Sequence, residues 1–144
     1  MEGECWVHSK KGDGSHRRTA GYVRLDPLES KKLSKPSIHF FNPTKEKEKI
    51  NVPFSGLQGC IFGANSPVFR SRPDADVQKD DAHCCLTVLS DSGAVNVSFS
   101  GDGAEDSCAE MVLDIQQAAY DFGLAKTRAS SYSALVWMRC SFKL

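Results

Sequence analysis

The chain has 144 residues, 40% of them hydrophobic and 25% charged, the profile of one soluble globular domain built on a single core. Eighteen basic and eighteen acidic residues cancel, which argues against a dedicated nucleic-acid binder. No apolar run approaches the ~20 residues needed to cross a bilayer, and residues 1–10 lack the apolar core of a signal peptide.

The charge is unevenly spread. Up to Ile50 there are eleven Lys and Arg against seven Asp and Glu, an excess of +4, and the remainder carries −4. A chain polarised in this way can orient on a charged partner, unless the two halves interleave in space and the field averages out. The six cysteines are Cys5, Cys60, Cys84, Cys85, Cys108 and Cys140. Several fall at apolar-face positions of predicted elements. With no secretion signal they read as reduced, small core residues of a cytoplasmic protein, nuclear or membrane-peripheral placement remaining open.

In chain order, residues 4–9 alternate around Trp6 and His8 and predict a first strand. Residues 11–15 are rich in turn formers, and residues 19–25, with Tyr22, Val23 and Leu25, predict a second strand. Residues 26–36 are polar with prolines near both ends, a loop. Ile38, Phe40 and Phe41 mark a third strand, ended by Asn42-Pro43. The alternating Lys-Glu run from Lys45 to Lys49 reads as a solvated hairpin end. Residues 50–54 predict a fourth strand, which Pro53 pushes toward a sheet edge. Residues 57–62 predict a fifth, with Gly56, Gly59 and Gly63 offering a bulge or a close backbone approach. Residues 64–81 show no period, contain Pro67 and Pro73, and read as a long, mobile loop. Residues 84–89, a turn at 90–93 and the alternating Val95, Val97 and Phe99 predict a hairpin with one buried face.

Residues 102–123 predict one amphipathic helix. Cys108, Met111, Val112, Ile115, Ala118, Ala119 and Phe122 recur at three- and four-residue steps, and Glu105, Asp106, Glu110, Asp114, Gln117 and Asp121 form the opposite face. Asp102 with Glu105, or Ser107 with Glu110, has capping-box spacing, and Gly123 suits the helix end. After a polar stretch, residues 134–144 carry Leu135, Val136, Trp137, Met138 and Phe142 and predict a final strand.

Few motifs point to chemistry. Asp121-Phe122-Gly123 spells the kinase metal-binding triplet, but no glycine-rich phosphate loop or catalytic loop accompanies it. His83-Cys84-Cys85 does not read as a metal site, because neighbours on a strand face opposite ways. No acid–base pair or nucleophile emerges, so neither catalysis nor a cofactor is expected. The basic group Lys10, Lys11, Arg17, Arg18 and Arg24 brackets a glycine-containing loop between two strands, with Asp13 the opposing charge. Such a loop can offer several donors to a phosphorylated group, or can simply be solvated.

A run of strands, a basic first loop and a late amphipathic helix together resemble the pleckstrin-homology (PH) superfold over residues 3–124. Tyr22-Val23-Arg24-Leu25 resembles its second strand, Ser37 to Phe41 its third, Ile50 to Phe54 and Leu57 to Phe62 its fourth and fifth, and the last hairpin leads into the helix as in that family. Two positions depart from it. Met111 stands near the family's helix tryptophan, and Thr19-Ala20-Gly21 stands where lipid-binding members carry a basic pair. The resemblance implies an antiparallel, strongly bent barrel or sandwich of about seven strands capped by the helix, one domain over residues 1–144, with residues 134–144 as an added strand. It implies a non-catalytic module that docks a protein or peptide through Gly56, Leu57, Gln58, Gly59 and Ile61, facing the helix. The alternative is a phosphoinositide-binding module using Lys10, Lys11, Arg17, Arg18 and Arg24.

Overall fold

A computed structural model of the chain describes residues 2–26, 36–42, 44–72 and 79–126. The predicted strand over residues 134–144, and Cys140 within it, lie outside the described residues. Among the described residues seven strands form one antiparallel sheet: β1 (Glu2–Lys10), β2 (His16–Leu25), β3 (Ser37–Asn42), β4 (Lys45–Pro53), β5 (Leu57–Phe62), β6 (Cys85–Ser90) and β7 (Gly93–Ser98). Their order across the sheet is β4-β3-β2-β1-β7-β6-β5. Sequential hairpins build β1–β4 and β5–β7, and β1 joins the halves by pairing with β7 at Trp6↔Ser98, Val7↔Val97 and His8↔Asn96. The helix α2 (Ala104–Lys126) follows β7 directly. The architecture is therefore α+β: an open antiparallel sheet and one long C-terminal helix.

Period-two alternation selects the inner face. Cys5, Val23, Ile38, Phe40, Val52, Cys60, Leu86, Val88, Val95 and Val97 point into one core. There they meet Ala104, Cys108, Met111, Val112, Ile115 and Ala119 of α2. Met111 and Ile115 have no solvent exposure at all. Phe122 is only half-buried, and its ring meets Phe54 edge-on at 6.0 Å.

Several boundaries differ from the sequence reading. Lys45 to Lys49 is not a hairpin end but the first half of β4. At the end of β3, Asn42 Oδ1 accepts from the Thr44 N–H at 3.0 Å and its hydroxyl at 2.7 Å. β4 is one end of the sheet, and an edge strand tolerates a charged repeat because water reaches it. Phe54 leaves the strand to begin a single 3-10 turn, with its N–H donating to the Pro36 carbonyl at 2.9 Å.

Residues 64–72 and 79–81 are not a featureless loop, and residues 73–78 of the predicted loop lie outside the described residues. Pro67–Arg70 forms a short helix, α1, capped by the Ser66 hydroxyl, which accepts from the Phe69 N–H. Proline at the first helical position and serine before it are its local cause. Phe69 is fully buried, against the His8 ring at 4.9 Å. Residues 79–84 form a further 3-10 segment.

At the start of α2, Gly101 and Gly103 have φ of 84° and 77°. The Ser107 N–H donates to the Gly103 carbonyl at 2.9 Å. Ser107 therefore lies inside the helix and not at its cap. Gly123 is also interior and buried, so the helix runs past the predicted stop. A glycine inside a helix costs about 1 kcal/mol relative to alanine, which packing of α2 on the sheet must offset.

Candidate functional site

The predicted basic group does not converge. β2 begins at His16, so Arg17 and Arg18 stand on the strand and not in the loop. Adjacent strand residues face opposite ways. The guanidinium carbon of Arg18 lies 4.2 Å from the centroid of the Trp6 ring, whose Nε1–H donates to Ser100 Oγ at 3.0 Å. Arg24, three side-chain pairs further along the same strand, has its guanidinium carbon 5.8 Å from the Phe41 centroid. Lys10 and Lys11 are exposed at the turn. There Asp13 accepts from the Ser15 N–H and hydroxyl, and these two hydrogen bonds hold its carboxyl below the ordinary range.

Arg17 instead shares a hollow of about 300 Å³ with Lys49, over Val7, Thr19, Phe40 and Ile50. Lys49 was not singled out from the sequence, because it sat in a run of alternating charge. The register that places β4 beside β3, with Phe41 opposite Lys49, is what delivers it to the hollow.

The predicted docking strip is also divided. Among the described strands β5 ends the sheet opposite β4, and it lies beside α2. The pairing with β6 shifts register between Leu57 and Gly59, the expected bulge. Leu57 packs toward the core and the helix, whereas Gln58 is exposed. Ile61 pairs with Thr87 and alternates with the inward Cys60, so it faces away from α2 and not into a groove beside it. Gly56 is buried, and a Cβ there would meet Asp91 Oδ1 at 2.5 Å. The Asp91 N–H donates to the Gly56 carbonyl at 2.9 Å. Gly56 thus seats the β6–β7 turn and presents no docking surface. Gly59 is buried as well.

One arrangement has the outline of a nucleophile relay. His8 Nε2 lies 2.6 Å from Ser98 Oγ, and His8 Nδ1 lies 2.9 Å from His16 Nε2. A relay needs an approachable hydroxyl. Ser98 is 7% exposed, His8 is 5% exposed, and the Phe69 ring packs against the imidazole at a tilt of 54°. The contacts therefore satisfy buried polar groups between β1 and β7.

The described cysteines are free thiols, buried except for the half-buried Cys84. Burial pushes Cys5, Cys60 and Cys108 up to about 12, so they are protonated at neutral pH. Among the described residues no group of His, Cys, Asp and Glu has the placement to hold a metal ion. Nor is any helix there long and apolar enough to cross a membrane.

No family model, curated protein or solved structure matches this chain.

Proposed function

We propose that the chain is a non-catalytic, PH-like interaction module that docks a protein or peptide partner along the border of β5 beside α2. The observation that carries this reading is the terminal position of β5 among the described strands of the sheet, with α2 alongside. A terminal strand can accept another strand through outward backbone groups, and the adjoining side chains supply selectivity. The strand order supports the PH-like assignment: it is a meander whose first and last strands touch, opened between β4 and β5 and followed by one helix. Such a module acts in the cytoplasm or nucleus, or at a membrane surface.

A phosphoinositide-binding role is the second reading. The hollow shared by Arg17 and Lys49 favours it. The division of Arg17 and Arg18 between opposite faces weakens it, because a headgroup needs several cations on one side.

Capture by the tagged full chain, with the bound proteins identified by mass spectrometry, separates the two. Gln58 is the probe of choice on β5, because it is exposed and sits at a bulge, where proline is tolerated. A Gln58→Pro variant is expected to lose the partner, and an Arg17→Glu/Lys49→Glu variant to keep it. Headgroup-selective vesicle binding that disappears in the charge-reversed pair, with no partner lost in Gln58→Pro, would reverse the order.

A further inference from the structure

The outer face of β2, β3 and β4 carries a second constellation, remote from β5. The register places Arg24, His39 and Asn51 in one cross-strand row. Tyr22, Phe41 and Lys49 form the next row. Both rows alternate with the inward Val23, Ile38, Phe40 and Val52, so they share the face turned away from the core. Five of these residues, Arg24, His39, Phe41, Lys49 and Asn51, line a hollow of about 310 Å³. β3 supplies its floor through His39 and Phe41, and the two long cationic side chains rise from the strands on either side.

The floor is held in place by several contacts. The Tyr22 ring leans on Phe41 at 5.4 Å and 48°. His39 Nδ1 lies 2.7 Å from Asn51 Oδ1, and His39 Nε2 lies 2.7 Å from Asp26 Oδ2. That carboxylate oxygen also accepts the Ser37 N–H at 3.2 Å. An oxygen thus lies against each ring nitrogen and fixes the plane of the imidazole. The Asn51 oxygen is turned to His39, which leaves its amide hydrogens for a third group. Among the described residues neither Arg24 nor Lys49 forms an ion pair. Asp26 is buried behind His39, and Glu2, the register partner of Arg24 on β1, shares its face of the sheet but makes no ion pair with it.

We propose that this hollow binds a phosphate monoester carried on a flat aromatic group. Arg24 and Lys49 close on the phosphate from opposite walls, Arg24 with two parallel N–H donors and Lys49 as a point charge. The Asn51 amide donates to a remaining oxygen. The ring of the ligand lies against Phe41 in the offset or edge-on geometry that aromatic pairs favour. Two cations without carboxylate partners among the described residues select an oxyanion, and the aromatic floor selects what the oxyanion is attached to. The site lies on the half of the sheet away from β5, so it stands or falls independently of the docking strip.

Phenyl phosphate is the probe, titrated into the full chain and followed by amide and side-chain NMR shifts, with inorganic phosphate and phosphoinositide vesicles in parallel. Shifts should centre on Arg24, His39, Phe41, Lys49 and Asn51. Phenyl phosphate should bind about two- to tenfold more tightly than inorganic phosphate, the range an aromatic contact provides. Reversal by Arg24→Glu/Lys49→Glu should weaken both by about tenfold or more. Phe41→Leu should erase the preference for the aryl ester while leaving phosphate binding in place. Arg24 and Lys49 are exposed, so the reversed protein should keep its thermal midpoint; if it does not, Arg24→Gln/Lys49→Gln should show the same loss. Equal affinity for the two phosphates, shifts away from these five residues, or vesicles that outcompete phenyl phosphate would each overturn the assignment.

Discussion

Cys60 and Cys108 are fully buried, and Cys5 nearly so. With thiols held at about 12 against an ordinary 9.0, each stays protonated in the fold where the unfolded chain would ionise. The folded state therefore binds more protons above pH 9, and stability must fall as pH rises from there toward 12. The slope is about 1.4 kcal/mol per pH unit for each thiol. Urea unfolding at a series of pH values should show this decline begin near pH 9; a stability unchanged to pH 11 would contradict the burial. At pH 8 a thiol reagent should reach the half-buried Cys84 well before Cys5, Cys60, Cys85 or Cys108, because the thiolate is the nucleophile and access limits it. Met111 and Ile115 carry the same logic for packing. Met111→Ala should cost about 2–5 kcal/mol, read as a shift in the urea midpoint.

At the scale of elements, α1 shows that four residues can matter more than their length suggests. Phe69 is completely buried from so short a helix, on the side of β1 where His8 and Ser98 meet. Phe69→Ala should cost about 3–5 kcal/mol, and Ser66→Ala about 1 kcal/mol through the lost cap. The end of α2 is a contrasting case. Phe122 is half-buried with an edge contact to Phe54, so Phe122→Ala should cost about 2 kcal/mol, near half of the full-burial value. A Phe122→Ala loss larger than that of Phe69→Ala would place the principal anchor in α2 and not α1.

Across the whole molecule, continuity of the sheet rests on β1. It pairs with β2 along its full length and with β7 through three residues. His8 and Ser98, which touch across that seam, are 90 residues apart in the chain. Non-local pairing must meet its loop-closure entropy before it gains contact energy. Refolding from urea should accordingly be slow, in the millisecond-to-second range of β-dominated domains, and Val97→Ala in β7 should slow it more than a surface change in α2. Microsecond refolding, measured by Trp fluorescence, would show that the seam forms without limiting the rate.

The strands and the helix were legible in the sequence because their signals are local. Val95, Val97 and Phe99 alternate, and Cys108, Met111 and Ile115 recur at helical spacing, whatever the rest of the chain does. The edge position of β4 was legible too, since Pro53 cannot serve a central strand. What the sequence could not express is which side of a strand each charge takes once register is set. Arg17 and Arg18 read as one basic group, yet β2 extends back to His16 and sends them to opposite faces. Phe41 read as one more strand hydrophobe, although Phe40 beside it takes the core position and leaves Phe41 outward. Lys49 read as solvated charge until β4 laid it opposite Phe41. Burial of Phe69 had no periodic signal, because one apolar residue on a single helical turn makes no pattern. Local chemistry determined the elements of this protein; only the register of β2 on β3 and of β3 on β4, set when the sheet assembles, decided which residues share a site.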